Sequence, residues 1–560
     1  MLTGDSSTLR KARGAFFTPA PVARFLVDWA VRKHSDAVLE PSCGEAVFLH
    51  EAAGKIGDAG RLVGVELHRA SARQAARTLA EKGIAARIHT GDFFIHNEFG
   101  CYDAVVGNPP YVRYQDFSGT DRAHAHRAAL RGGVRLTNLA SSWAAFTVHA
   151  ALHLRTGGRL ALVLPAELLT VNYAGAVRQF LMDRFTHVEL VLFTERVIPE
   201  VQEEVILLLA DGYTPDAGPT GVGGTEHMVV RSLHNADDLG ALAATGPSRR
   251  WMPEDKSAKW SAGLLSPDGL DAYTHALGDT GFAGLQTWGE TTLGMVTGNN
   301  RFFTLSPAKA EQLGLAPTDT IALSPPGSRH LRAMTLTAAQ LAALGADGSA
   351  TLLFRPADAP SRAAEHYIRS GEDLDVHEAY KCRVRTPWWR VPYLKPADLL
   401  LTYMNADTPR LAANQARTHH LNSVHGVYLR TDLRADGMSL LPPASLNSLT
   451  LLGAELVGRP YGGGMLKIEP READQLPVPA PSLVRAHAAE LRAARTSVRR
   501  RLREGDLLGA VEIVDRILLT GGMGLSGRRL GALREDHARL SARRRARGRS
   551  STGRSGAGVR

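Results

Sequence analysis

From about residue 12 to about residue 233, short apolar runs rich in β-branched residues alternate with stretches whose apolar positions recur every three or four residues. That alternation is the pattern of a mostly parallel sheet covered by helices. Residues 37–40, 62–66, 86–90, 104–107, 160–165, 187–193 and 204–210 read as seven strands, with 21–32 and 69–82 as amphipathic helices among them. Only about ten residues separate the last two strands, too few for a helical crossover, so they form a hairpin with one strand antiparallel at the sheet edge. The expected fold class is α/β and doubly wound.

Beyond residue 210 the pattern loosens. Residues 211–224 are rich in Gly, Pro and Thr, a short apolar run follows at 228–233, and an Ala, Gly and Pro connector reaches about residue 285. From there to about residue 479 the periodicity is irregular, around an aromatic and basic cluster that holds Trp388 and Trp389 beside Arg383, Arg385 and Arg390. The tryptophans read as packing residues and the arginines as candidates for contact with a partner. The end of the chain reads as Arg-rich helix followed by a low-complexity Arg/Ser/Gly segment. The expected organisation is a first domain over 1–240, a connector over 241–284, a second α+β domain over 285–480, and an Arg-rich helical tail with a disordered end over 481–560.

Composition excludes several classes. With 560 residues, the chain has no apolar run near the roughly 20 residues of a membrane span, and Met1 to Arg13 lacks the apolar core of a signal peptide, so the expected compartment is the cytoplasm. Three cysteines, Cys43, Cys101 and Cys382, are too few and too scattered for a disulfide framework or a zinc clip. The pairs His124/His126 and His419/His420 lack carboxylates or cysteines at ligand spacing, so no metal is expected. The net charge of +10 gathers at the end, where the last eighty residues hold 19 arginines against seven acids. A basic end on a nearly neutral body points to a polyanion partner.

Four segments carry candidate chemistry. Glu40-Pro41-Ser42-Cys43-Gly44-Glu45-Ala46 ends a strand in an acid and a small-residue turn, where backbone can approach a ligand closely. Glu66, at the end of the next strand, is placed to accept from the ribose hydroxyls of a nucleoside. In Gly91-Asp92-Phe93 the acid can accept from an adenine amino group while the ring packs on the purine. Last comes Asn108-Pro109-Pro110-Tyr111, after an apolar strand. The amino nitrogen of adenine is a poor nucleophile because its lone pair is delocalised, so an enzyme must hold its hydrogens with acceptors that favour a tetrahedral nitrogen. Asn108 supplies one acceptor and the Pro109 carbonyl another, while the paired prolines stiffen the loop. Tyr111 offers a flat face to a base flipped out of the duplex.

In order and spacing these segments resemble the γ-class N6-adenine DNA methyltransferases of restriction-modification systems. Phe16-Phe17-Thr18-Pro19 is similar to that family's amino-terminal cofactor element, and Leu293 to Asn300 and Tyr461 to Lys467 resemble segments of its recognition domain. The resemblance implies a class I S-adenosylmethionine-dependent methyltransferase fold with a target-recognition domain behind it. It implies S-adenosylmethionine held by Phe17, Thr18, Pro19, Glu40, Pro41, Cys43, Gly44, Glu66, Asp92, Phe93 and Asn108, and double-stranded DNA as the partner, with Arg383, Arg385 and Arg390 as candidates for contact with it. A monomer working alongside a separate cognate restriction endonuclease is expected. About a dozen residues before the cofactor element leave no room for a fused nuclease, and Glu254, Asp255 and Lys256 read as a solvated turn.

Two departures stand out. Ala46 takes the place of a second glycine, and Ile198 offers only an apolar wall where the family often sandwiches the base with an aromatic, with Phe193 as a substitute. They keep open a vestigial DNA-binding subunit. N4-cytosine methylation stays open on the same residues, and glutamine methylation of protein is disfavoured by the roughly 270 residues after the first domain, which a DNA enzyme needs for groove contacts.

Overall fold

The computed structural model describes residues 18–193, 197, 204–215, 223–241, 248–253, 255–278 and 281–552. The chain divides into two units, Met1–Leu264 and Leu265–Arg560. In the first, the apolar runs become β1 (Ala37–Pro41), β2 (Arg61–Glu66), β3 (Ala86–Thr90), β4 (Tyr102–Gly107), β5 (Leu154–Pro165), β6 (Phe185–Phe193) and β7 (Val205–Tyr213). Two more strands, β8 (Met228–Leu233) and β9 (Ser248–Trp251), extend them into one sheet of order β3-β2-β1-β4-β5-β7-β6-β8-β9. Strand β1 is buried at every position and β4 at all but one, as expected of strands covered on both faces.

Strands β1 to β5 pair in parallel, whereas β7 runs antiparallel to both β5 and β6. This is the class I S-adenosylmethionine-dependent methyltransferase fold. The hairpin expected at the sheet edge is interior, because β8 adds in parallel on β6 and β9 closes the sheet. The short run at 228–233 carried that signal, but the Gly, Pro and Thr stretch before it broke the alternation.

Helices cover the sheet for the reason the periodicity gave. Helix Ala20–Ala30 starts on Pro19 and buries Val22, Ala23, Leu26, Val27 and Ala30, one face of its turns. Each Val or Leu so buried contributes about 1.5–3 kcal/mol. Because the strand order reverses between β1 and β4, the crevice beyond their carboxyl ends is the topological switch point where such sheets bind ligands.

The second unit holds a five-stranded sheet of Gly289–Leu293, Val424–Leu429, Leu399–Thr402, Leu411–Asn414 and Thr335–Leu336, in that order. Phe302, Phe303 and Phe354 form a core beside it, against which Trp388 and Trp389 pack. The stretch expected as a tail is built into this unit. Helix Gly527–Thr552 lies on Pro267–Gly278 and Ser448–Val457, and its Arg544, buried, pairs with Glu455 at 2.8 Å. Arg544 also donates to the Gly464 carbonyl, so the glycine-rich segment near Tyr461 is a close approach of backbone to this helix. No described helix is long and apolar enough to cross a membrane.

Candidate active site

The loop after β1 is shaped by its backbone. Ser42, Gly44 and Ala46 all take left-handed conformations, with φ of 59°, 50° and 60°. Ala46 therefore keeps the shape that a glycine would give, at a cost of about 1–2 kcal/mol. Glu66, at the end of β2, accepts from the Gly44 and His68 N–H groups, each at 2.9 Å, which ties the loop to the neighbouring strand. A Cβ on Gly44 would meet nothing within 4 Å, so the loop borders open space.

Several expected ligand contacts face inward instead. The Glu40 carboxylate, 2% exposed, accepts from the Leu49 N–H at 3.0 Å and so caps helix Val47–Ala53. Burial pushes its pKa well above the usual carboxylate range. Cys43 is buried with its N–H on the Val65 carbonyl, and burial raises its thiol far above the ordinary value. Phe93, 4% exposed, sits among Phe146, His149 and His153, so its ring belongs to the interior. Asp92 remains partly open, its Oδ1 accepting from the Phe94 N–H and its Oδ2 meeting His124 Nδ1 at 2.8 Å.

The loop after β4 is shaped by side chains. Asn108 donates through Nδ2 to Thr18 Oγ1 at 3.2 Å, and its Oδ1 accepts from the Tyr111 hydroxyl at 2.9 Å. Those two partners fix which way the amide points. An amide oxygen has two lone pairs, so Oδ1 can still accept one further hydrogen bond. Tyr111 is 7% exposed and its hydroxyl also lies 3.0 Å from the Val163 carbonyl on β5, its single hydrogen shared between the two acceptors, so its ring is enclosed rather than presented for stacking.

Ser142, the first residue of helix Ser142–Leu152, clasps the loop: its hydroxyl accepts from the Val112 N–H at 2.9 Å and donates to the Pro110 carbonyl, and its N–H donates to the Val112 carbonyl at 3.0 Å. The two loops nearly touch, since a Cβ on Gly107 would lie 3.4 Å from the Pro41 carbonyl.

Hydrogen bonds thus join Gly44 with Glu66 and Thr18 with Asn108, while Asp92 follows the carboxyl end of β3 and Pro19 opens the helix that follows Thr18. Phe17 and Ile198 lie outside the described residues, and Phe193 is buried at the end of β6. In the second unit Arg383 is exposed. Arg385 donates to the Thr297 and Val296 carbonyls and Arg390 pairs with Asp358 over the Trp389 ring, so these two are engaged within their own unit. Ser142 and His124 are contributions that sequence reasoning missed. A serine pair before an apolar helical run was a usable capping signal for the first, and nothing local marked the second. Among the described residues no group of three or more His, Cys, Asp or Glu is arranged to hold a metal ion.

Two family models match the chain, N-6 DNA Methylase over residues 1–210 and the C-terminal domain of type II methyltransferase M.Eco57I over residues 257–519. The chain belongs to the type II DNA methyltransferases of restriction-modification systems. This methyltransferase is similar to type II methyltransferase M.XamI of Xanthomonas campestris pv. amaranthicola, 27% identical over 85% of this chain and 86% of that one. It is also similar to type II methyltransferase M.AccI of Acinetobacter calcoaceticus, at 22% over 83% and 85%. The solved structure of the type IIG restriction endonuclease BpuSI aligns with 97% of this chain and 68% of its own at 13% identity and a TM-score of 0.42. The family implies S-adenosylmethionine as methyl donor.

Proposed function

We propose that this methyltransferase transfers a methyl group from S-adenosylmethionine to the N6 amino group of an adenine flipped out of double-stranded DNA. The observation that carries the reading is the Asn108 amide, fixed between Thr18 and Tyr111 at the end of β4 with acceptor capacity left on Oδ1.

The residues around the β1 loop fit the cofactor. Open space borders Gly44, while Glu66 and Asp92 stand at consecutive strand ends as acceptors for ribose hydroxyls and a purine amino group. Bound there, S-adenosylmethionine supplies an electrophilic methyl group on a sulfonium. Asn108 Oδ1 and the Pro109 carbonyl would accept the two amino hydrogens, which draws the nitrogen toward a tetrahedral geometry and frees its lone pair to take the methyl as the sulfonium S–C bond breaks and the thioether leaves. The surplus proton leaves the nitrogen for solvent. Ser142 engages the Pro110 carbonyl, which keeps the loop in register while leaving the Pro109 carbonyl for substrate.

Tyr111 serves here first as the residue that orients Asn108, and stacking on a base requires its ring to open from the β5 side. In the second unit Arg383 is the arginine of its cluster that is exposed for a DNA contact, and a separate cognate restriction endonuclease is the expected partner. Nucleoside analysis of DNA from cells expressing the protein tests the reading. N6-methyladenine is the expected product, N4-methylcytosine would replace adenine by cytosine as the target, and no modified base would overturn the activity.

A further inference from the structure

Two helices of the last eighty residues, Ala488–Arg503 and Gly527–Thr552, use their arginines differently. On helix Gly527–Thr552 five arginines are matched with acids of their own unit: Arg528 with Asp268, Arg529 with Asp271, Arg534 with Asp515, Arg539 with Asp536 and Arg544 with Glu455, at 2.6–2.9 Å. These pairs hold the helix down. Helix Ala488–Arg503 differs, carrying six arginines against one acid, Glu490, which meets His487. Leu491 and Val498 seat it on the unit. Arg500, Arg501 and Arg503 lie in its last turn, where the negative end of the helix accounts for them, and Arg501 also pairs with Asp506.

Arg492, Arg495 and Arg499 have neither explanation. They stand at i, i+3 and i+7, which places them in one row along the helix beside the buried apolar row. Arg492 and Arg499 are exposed, and half-buried Arg495 keeps an enclosed Nε with no hydrogen-bond partner. Among the described residues no ion pair engages any of the three. Like charges in one row repel, so such a row is costly unless a polyanion lies along it. It spans about 10 Å, roughly the axial length of three successive phosphates on one DNA strand.

We propose that Arg492, Arg495 and Arg499 form a docking row for the phosphate backbone of duplex DNA, a sequence-independent grip supplied by the second unit. The proposal rests on DNA being the substrate. It also departs from the expectation that the whole Arg-rich end binds DNA, because five arginines of helix Gly527–Thr552 serve its own fold.

The test is anisotropy titration of a labelled duplex with the full-length protein over a range of salt concentrations, for a duplex bearing the methylated sequence and a scrambled one. Each phosphate contact removed lowers the slope of log affinity against log salt by about 1. The triple variant R492Q/R495Q/R499Q is expected to lose about 3 from that slope, to weaken on both duplexes by the same factor, and to melt like the parent protein. R528Q/R529Q, which removes exposed but ion-paired arginines, is the control expected to keep the slope. An unchanged slope in the triple variant would overturn the proposal. A loss confined to the methylated sequence, or an equal loss in the control, would overturn it too. Failure of the DNA-methylation reading would show separately, as absence of any modified base whatever the slopes.

Discussion

The loops after β1 and β4 are neighbours in the sheet, yet they are held in different ways. The first, Ser42 to Ala46, keeps its shape through three left-handed residues and the Gly44 N–H turned onto Glu66. The second, Asn108 to Val112, is held by Thr18, Tyr111 and Ser142 side chains. A loop fixed by conformation offers its backbone and open space to a bulky ligand. A loop fixed by side-chain partners aims single atoms, which is what methylating one nitrogen requires. Substitutions in the second should therefore remove catalysis and leave cofactor affinity nearly intact, while substitutions in the first should do the reverse.

Asn108→Ala is the sharpest way to break this contrast. Losing one preorganised polar partner of a reacting group costs on the order of 10²–10³ in kcat, about 3–4 kcal/mol. Methylation in single-turnover assays should fall by at least that factor, while calorimetry shows S-adenosylmethionine binding within a few-fold of the parent. A variant that methylates normally would remove Asn108 from the chemistry.

Acid should undo the second loop's support. Helix Ser142–Leu152 carries both Ser142 and His149, and His153 follows it. Burial pushes His149 down to about 3, with neighbouring His153 and Arg131 adding to the effect, although a hydrogen bond with the Phe93 carbonyl opposes it. Burial likewise pushes His153 down to about 4, helped by His96, with Glu98 opposing. In the unfolded chain both imidazoles titrate near 6.5, so between pH 6.5 and 4 the unfolded state binds more protons and stability falls as pH falls. Their contribution is fully present above pH 6.5. Two such groups give a slope of about 2.7 kcal/mol per pH unit below it. Urea unfolding at several pH values reads that slope, and a flat profile down to pH 4 would contradict the assignment of two neutral buried histidines.

Ser142→Ala comes next. It strands the Val112 N–H and the Pro110 carbonyl, each of which costs about 1–3 kcal/mol if buried and unpaired. We expect a loss of about 2 kcal/mol in stability, a roughly tenfold drop in kcat and unchanged cofactor affinity. Ser142 also marks the limit of what the sequence could convey. Strands β1 to β7 and the order of acids at their ends were legible, because alternation and strand-end position are local properties. Which of those polar groups face a ligand was not. Glu40 turned out to cap the helix that follows its own loop, whereas Phe93 joined a core with His149 and Tyr111 turned its hydroxyl toward β5 as well as Asn108, both decided by residues some fifty positions along the chain. The same holds for the arginines, since no spacing rule distinguishes Arg528, with Asp268 some 260 residues away, from Arg499, which no ion pair engages among the described residues.

Gly44→Ala is the gentlest probe and tests the first loop alone. Its φ of +50° puts any L side chain in the left-handed region, yet the added Cβ would meet nothing within 4 Å, so the cost is conformational only, about 1–2 kcal/mol. For a unit of this size that lowers Tm by a few degrees, about 2–4 °C for each kcal/mol. The loop already carries that penalty at Ala46 without losing its shape, so the variant should fold. Its methyl group would instead occupy the space the loop leaves open. Cofactor affinity should therefore fall by more than the small change in Tm suggests, with kcat at saturating S-adenosylmethionine near the parent value. A drop in kcat with affinity preserved would mean that the β1 loop also positions the reacting nitrogen, and the division between the two loops would fail.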